Sequence, residues 1–195
     1  MKFSIIVPTF NNLEYLKCFL YSINKNSFYK HEIILHINDG SDGTLQYAKE
    51  NMIKYTHSID NVGLCTSMNF AYTLATTDHI LYSHDDMFFC LNWDKYLIDE
   101  INNQKDNLYY LTGTMVSTKH GLINYDCGST INDFDEIKFQ KFCDMDRTPD
   151  LQSSHWTPFL IHKLLWKKIG GFSEEFNPGD GSDPDFCMKL CLEDV

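Results

Sequence analysis

Three polar loops of this chain, each closing an apolar run, carry side chains able to do chemistry: Pro8-Thr9-Phe10-Asn11, Asn38-Asp39-Gly40-Ser41 and His84-Asp85-Asp86. Asp85 and Asp86 offer the hard oxygen ligands that Mg²⁺ or Mn²⁺ prefers, and His84 adds an imidazole beside them. A site with one or two protein carboxylates completes its shell with phosphate oxygens and water. Such a cation offsets the charge that grows on a departing diphosphate. Other positive charge is scarce, because Arg147 is the single arginine and no glycine-rich loop carries a phosphate-binding lysine. Taken singly, an Asp-Gly pair reads as a turn and an Asp-Asp pair as a solvated loop or helix cap. Three such loops in succession point instead to one sheet edge that collects them.

The elements around the loops support that edge. Phe3 to Val7 is a β-branched and aromatic run closed by Pro8, which predicts a buried strand. Leu13, Leu16, Phe19, Leu20 and Ile23 then recur at helical spacing. A second strand over Glu32 to Ile37, a helix over Leu45 to Met52, a third strand over Tyr55 to Ile59, a helix over Leu64 to Ala75 and a fourth strand over His79 to Ser83 follow. Strands alternating with helices predict βαβ units and a mostly parallel sheet flanked by helices, an α/β fold. Ligands of such sheets bind beyond the carboxyl ends of the strands. The second half is less regular: a helix over Trp93 to Ile101, a strand over Leu108 to Val116, a polar stretch from Ser117 to Ser154 without assignment, and a helical pattern over Leu160 to Ile169 capped by Gly170-Gly171. A last helix is expected from about Asp183 to the end.

The bulk of the chain narrows its partners. A formal net charge of -11 over 195 residues repels phosphate backbones and argues against nucleic acid. No apolar stretch approaches the roughly 18 to 20 residues that span a bilayer, so no transmembrane segment is expected. Met1-Lys2 runs straight into the first strand, so no signal peptide is expected. The seven cysteines form no C-x-x-C pair and fall largely inside apolar patterns, as reduced core cysteines of a cytoplasmic protein do. Cys187 and Cys191, four apart, would share one helix face.

Several motifs resemble those of family 2 glycosyltransferases. Ser4-Ile5-Ile6-Val7-Pro8-Thr9-Phe10-Asn11 is similar to their opening strand and loop, and Asn38-Asp39-Gly40-Ser41-Asp42-Gly43-Thr44 to the signature that follows their second strand. Asn61-Val62-Gly63 with Asn69 resembles the start of their third helix, although Met68 stands where they carry an arginine. His84-Asp85-Asp86 occupies the place of their Asp-x-Asp metal motif, with histidine in the first acidic position. Gly170-Gly171-Phe172-Ser173-Glu174-Glu175-Phe176 and Gly181-Ser182-Asp183-Pro184-Asp185 resemble their acceptor-side signature, with Ser182 replacing a glutamate.

The resemblance spans nearly the whole chain and implies an inverting, metal-assisted transferase of the GT-A fold, using a nucleotide-sugar donor, with UDP favoured. It implies a nucleotide-sugar half over residues 1–90 and an acceptor half over 91–195. Pro8, Thr9, Phe10, Asp39, Asn61 and Asp85 would then bind the nucleotide, with Asp39 bonding the base and Asp85 near the ribose or diphosphate. Asp86 and His84 would hold Mn²⁺ or Mg²⁺. Asp183 would be the general base on the acceptor hydroxyl, while a helix N-cap is the other role its position allows. Trp156 and Asp185 would meet a glycan, lipid-linked or protein acceptor. Trp166 reads as core and Trp93 as packing at a helix start. Family members continue past the position of Val195, so the expectation is a chain incomplete at its C-terminus, working in the cytoplasm or at the inner face of a membrane. Two other readings stand beside this one: an inert sugar-nucleotide-binding module and a sugar nucleotidyltransferase.

Overall fold

The central strand β1 is Phe3–Phe10, and its first five residues are fully buried, as a strand covered on both faces must be. It runs past the expected stop at Pro8. Along β1 the backbone groups of Ser4, Ile6 and Pro8 face the fourth strand, and that ladder ends where Ser83 N–H meets the Ile6 carbonyl at 3.1 Å. The N–H that Pro8 lacks therefore falls beyond the last rung, and the proline costs the sheet nothing.

The computed structural model describes residues 2–119, 123–145 and 157–195. After β1 come α1 (Leu13–Asn26), β2 (Glu32–Asn38), α2 (Thr44–Glu50), β3 (Lys54–Ser58), α3 (Leu64–Tyr72) and β4 (His79–Tyr82). The second half holds α4 (Trp93–Asn103), β5 (Tyr110–Thr112), a two-residue parallel pair β6 (Val116–Ser117) and β7 (Ile123–Asn124), and α5 (Glu136–Cys143). It closes with β8 (Phe159–His162), α6 (Lys163–Ile169), a 3₁₀ turn at Glu174–Phe176 and α7 (Ser182–Cys191). The main sheet runs β3-β2-β1-β4-β8-β5. The first four of these strands are mutually parallel, whereas β8 runs antiparallel to both β4 and β5.

Two expectations fail in the second half. The helical pattern of Leu160 to Ile169 begins with strand β8, paired with β4 at Tyr82↔Phe159, and only then turns into α6. Phe159, Leu160 and Ile161 are all buried because the sheet is covered on both sides there, so they show no alternation that would mark a strand. The strand expected over Leu108 to Val116 is reduced to Tyr110–Thr112 at the sheet edge and a separate Val116–Ser117.

The side-chain alternation of β1 divides the core. Phe3, Ile5 and Val7 pack with Leu16, Phe19, Leu35, Leu81 and Trp93 on the α1 and α4 side. Ile6 packs with Met68, Tyr82, Phe159, Trp166 and Phe186 under α3, α6 and α7. A buried polar clamp fixes α4: the Asp94 carboxylate accepts Phe28 N–H (2.8 Å), Tyr29 N–H (2.7 Å) and the His31 ring (2.9 Å). His31 Nδ1 accepts Phe3 N–H at 3.1 Å, so Nε2 carries the proton donated to Asp94.

Candidate functional site

Because β2, β1 and β4 are parallel neighbours, their carboxyl ends share one edge, and the three polar loops meet there. Two consecutive asparagines at the end of β1 stitch them together. Asn11 donates from Nδ2 to Asp39 Oδ2 at 2.8 Å and accepts Gly40 N–H on Oδ1 at 3.0 Å. Asn11 and Asp39 both sit at positive φ, +46° and +60°, where asparagine and aspartate are the side-chain-bearing residues most at ease. Gly40 follows at +80°, and a Cβ there would lie 2.8 Å from Ile37 Cγ2. His57 Nε2 donates to the Asp39 carbonyl (2.9 Å) from β3. The hydrogen bond from Asn11 is the main cause of an Asp39 pKa below the ordinary value, so this carboxylate is ionised where it faces solvent. Pro8 and Phe10 share one face of the strand end, with the Phe10 ring exposed, while Thr9 points the other way and is buried.

Asn12 begins α1 without capping it. Asp42, in the second loop, accepts Leu13 N–H at 2.9 Å and Thr44 N–H at 3.0 Å, and so serves the starts of both α1 and α2. The Asn12 amide is thereby left for Asp85 Oδ1, at 3.0 Å. Burial raises the Asp85 pKa against that bond. His84 turns inward, its Nε2 at 2.7 Å from the hydroxyl of buried Tyr82, and burial lowers its pKa. Asp86 alone of the three is exposed. Among the described residues no group of three His, Cys, Asp or Glu side chains gathers to cage a metal. One exposed hard carboxylate fits a cation whose remaining ligands are diphosphate and water.

Asp183 is not a cap. Gly181 takes the N-cap of α7 at φ +83° and, as glycine, makes no side-chain cap. Asp183 sits in the first turn with Oδ1 buried and without a hydrogen-bond partner among the described residues, and burial raises its pKa. It reaches the neighbourhood of the β4 loop: burial foremost, then the Asp183 charge, push the Tyr82 pKa well up. Asp185 accepts Ser173 Oγ at 2.7 Å and pairs with Lys189 at 3.5 Å, tying the 3₁₀ turn to α7. Asn61 accepts Gly63 N–H at 3.0 Å in a turn leading to α3. The start of α3 is closed by Asn177, whose Oδ1 accepts Cys65 N–H (3.1 Å) and whose Nδ2 donates to Thr66 Oγ1 (2.7 Å). Trp156 lies outside the described residues.

A cleft of about 1420 Å³ begins at His84 and Asp86 and runs past Phe88, Tyr110 and Tyr125. Its described lining includes Asp86 and Glu100 but neither lysine nor arginine. Asn12 and Tyr82, which bond Asp85 and His84, and Asn177, which closes the start of α3, escaped sequence reasoning. Asn12 had a signal, since it directly follows the first polar loop. Tyr82 had none, because in sequence it is one more apolar strand residue.

The parallel sheet with its loops gathered at the carboxyl edge is that of the GT-A glycosyltransferase fold. A model of glycosyl transferase family 2 matches residues 4–163, and the chain belongs to that family. A comparison with curated protein sequences gave no match. Among solved structures the chain is similar to S. aureus TarS 1-349 in complex with UDP (TM-score 0.72, 21% identity, 98% of this chain and 55% of that one). It is likewise similar to the same protein with UDP-GlcNAc (TM-score 0.68, 22% identity, 98% and 54%). The mannosyltransferase PcManGT from Pyrobaculum calidifontis, in complex with GDP-Man and Mn²⁺, also matches (TM-score 0.60, 18% identity, 98% and 52%). The chain spans about half the length of these structures. Among the described residues no helix is long and apolar enough to cross a membrane.

Proposed function

We propose that this domain moves a sugar from a UDP-sugar to an acceptor hydroxyl with inversion at the anomeric carbon. The observation that carries the reading is the pair of bonds Asn11–Asp39 and Asn12–Asp85, which hold two carboxylates at one sheet edge, where a base and a diphosphate would meet them. Solved relatives of the same fold hold UDP, UDP-GlcNAc or GDP-Man with Mn²⁺, which supports a nucleotide-sugar donor. Phe10 and Pro8 flank the base, Asp39 accepts from it, and Asn61 borders the nucleotide from the α3 side. Asp86 would hold Mn²⁺ or Mg²⁺, which when bound supplies positive charge against the leaving diphosphate, whereas His84, expected as its partner ligand, is turned to Tyr82. Asp183 takes the proton of the acceptor hydroxyl. Its raised pKa brings it nearer to neutrality, where a general base works best. The hydroxyl oxygen then attacks from the face opposite the departing UDP, which inverts the centre. The cleft beside Asp86, with a described lining that is mostly aromatic, apolar and hydroxyl-bearing and holds no lysine or arginine, suits a neutral, hydroxyl-bearing acceptor such as a glycan.

His84, standing in the first metal-ligand position yet turned to Tyr82, favours a second reading: a module that binds sugar nucleotide without turnover. Free UDP measured over time from UDP-sugars, with glycan acceptors and Mn²⁺, decides between them. Acceptor-dependent UDP release that stops on chelation is the expected result. Binding of UDP-sugar without release establishes the inert module, and no binding of UDP at all refutes both.

A further inference from the structure

A carboxylate accepts about four hydrogen bonds, two on each oxygen. On Asp39, Oδ2 already takes two, from Asn11 Nδ2 at 2.8 Å and Ser41 Oγ at 3.1 Å. Oδ1 takes one, from Ser41 N–H at 3.2 Å. The Asn11 amide cannot turn over without loss, because its Oδ1 is the acceptor for Gly40 N–H. The backbone of both residues is set for the contact by positive φ. Among the described residues Asp39 therefore has a single acceptor position left, on Oδ1.

Nucleobases differ in what they offer a carboxylate. Uracil offers one N–H, on N3, between two carbonyl oxygens. Guanine offers two parallel donors, N1–H and N2–H, which pair with both oxygens of an unoccupied carboxylate as a guanidinium does. Against Asp39 one of the guanine donors would meet a filled Oδ2 and the Asn11 Nδ2 group that fills it, donor against donor. A donor left unpaired in a contact costs about tenfold in affinity or more.

We infer that Asn11, together with Ser41, is a specificity residue: it makes Asp39 a one-bond acceptor and so selects uracil over guanine in the donor nucleotide. The inference rests on the reading that Asp39 meets the base.

Calorimetric Kd values for UDP and GDP, each with Mn²⁺, test it on the wild type, Asn11→Gly, Ser41→Ala and the double variant. Glycine keeps the positive φ of position 11 while removing the amide. The expected wild-type preference for UDP is at least about tenfold, and emptying Oδ2 narrows it by about tenfold, chiefly through tighter GDP binding. Thermal unfolding verifies that each variant is folded, and Ser41→Ala alone reads the ratio if Asn11→Gly is not. A wild type that prefers GDP, or a UDP:GDP ratio unchanged in the variants, overturns the inference. Asp39→Ala tells the two levels apart. If it binds UDP as the wild type does, the base contact itself falls; if it loses UDP while the ratio in the double variant stays put, only the selectivity role of Asn11 falls.

Discussion

If Asp183 is the base of the proposed reaction, Asp183→Asn separates chemistry from architecture. The substitution keeps the shape of the side chain and removes its capacity to take a proton. Losing a general base slows reaction by about 10² to 10⁴, or roughly 2.7 to 5.4 kcal/mol on the barrier. The stability side is small by comparison. A helix N-cap lost would cost about 0.5 to 2 kcal/mol, but Gly181 is the N-cap and Asp183 caps nothing, so that loss does not apply. What remains is a negative charge removed from the first turn of α7, worth about 0.3 to 1 kcal/mol, opposed by relief of the burial that raises its pKa. Unfolding free energy within about 1 kcal/mol of wild type is therefore expected. Sugar transfer and urea denaturation are measured on the same preparations, with UDP affinity as a control for the donor end. The acidic limb of the wild-type kcat profile should lie above the ordinary carboxylate range, because the base must be ionised and burial raises its pKa, and it should vanish from the residual activity of the variant. Near-normal transfer by a folded Asp183→Asn enzyme refutes the base assignment. A loss of stability beyond about 2 kcal/mol would show that the Asp183 carboxylate is a structural element of α7 and not a base alone.

Asp86→Asn should abolish the gain in UDP affinity that Mn²⁺ gives the wild type, read by calorimetry with and without chelator; a gain that survives removes Asp86 from the cation. Gly63→Ala should destabilise the fold by roughly 2 kcal/mol or more, since it combines a side chain at φ +84° with a collision against Asn177 Oδ1, the cap of α3; unchanged urea unfolding would contradict this. His36 is fully buried, and burial holds its pKa down at about 4 against an ordinary 6.5. The unfolded chain therefore takes the proton first, so this share of stability is intact above about pH 6.5 and declines as pH falls towards 4, by about 2 kcal/mol at pH 5. His36→Gln should flatten that part of the pH dependence, and an identical slope in the variant would dismiss His36 as its source.

The first half of this fold was legible in the sequence because each of its strands is a short apolar run with turn chemistry at its carboxyl end. The apolar face of α1 came out at Leu16, Phe19, Leu20 and Ile23 as its spacing required. The other half was not legible for a physical reason. Strand β8 lies between β4 and β5 and is covered on both faces, so Phe159-Leu160-Ile161 has no period, and Leu164 and Leu165 continue it at helical spacing. The candidate site was legible at its acidic residues and silent about what aims them. Asn11, Asn12 and Asn177 look like turn residues in sequence, since asparagine bonds backbone locally in most loops. Here each one crosses to a different loop or helix, and only the fold shows which.

The antiparallel pairing of β4 with β8 has an evolutionary consequence. Tyr82 and Phe159 face each other as the base of one enormous hairpin whose arm is everything from residue 83 to 158. The entropy of closing such an arm grows only with the logarithm of its length, about 0.6 kcal/mol for each doubling. Insertions and deletions in its loops beyond Asp86 leave the rungs at its base untouched. Under the proposed function, a lineage could therefore reshape the cleft beside Asp86 by rewriting those loops, while Asn11, Asn12 and Asp39 stay under separate inheritance.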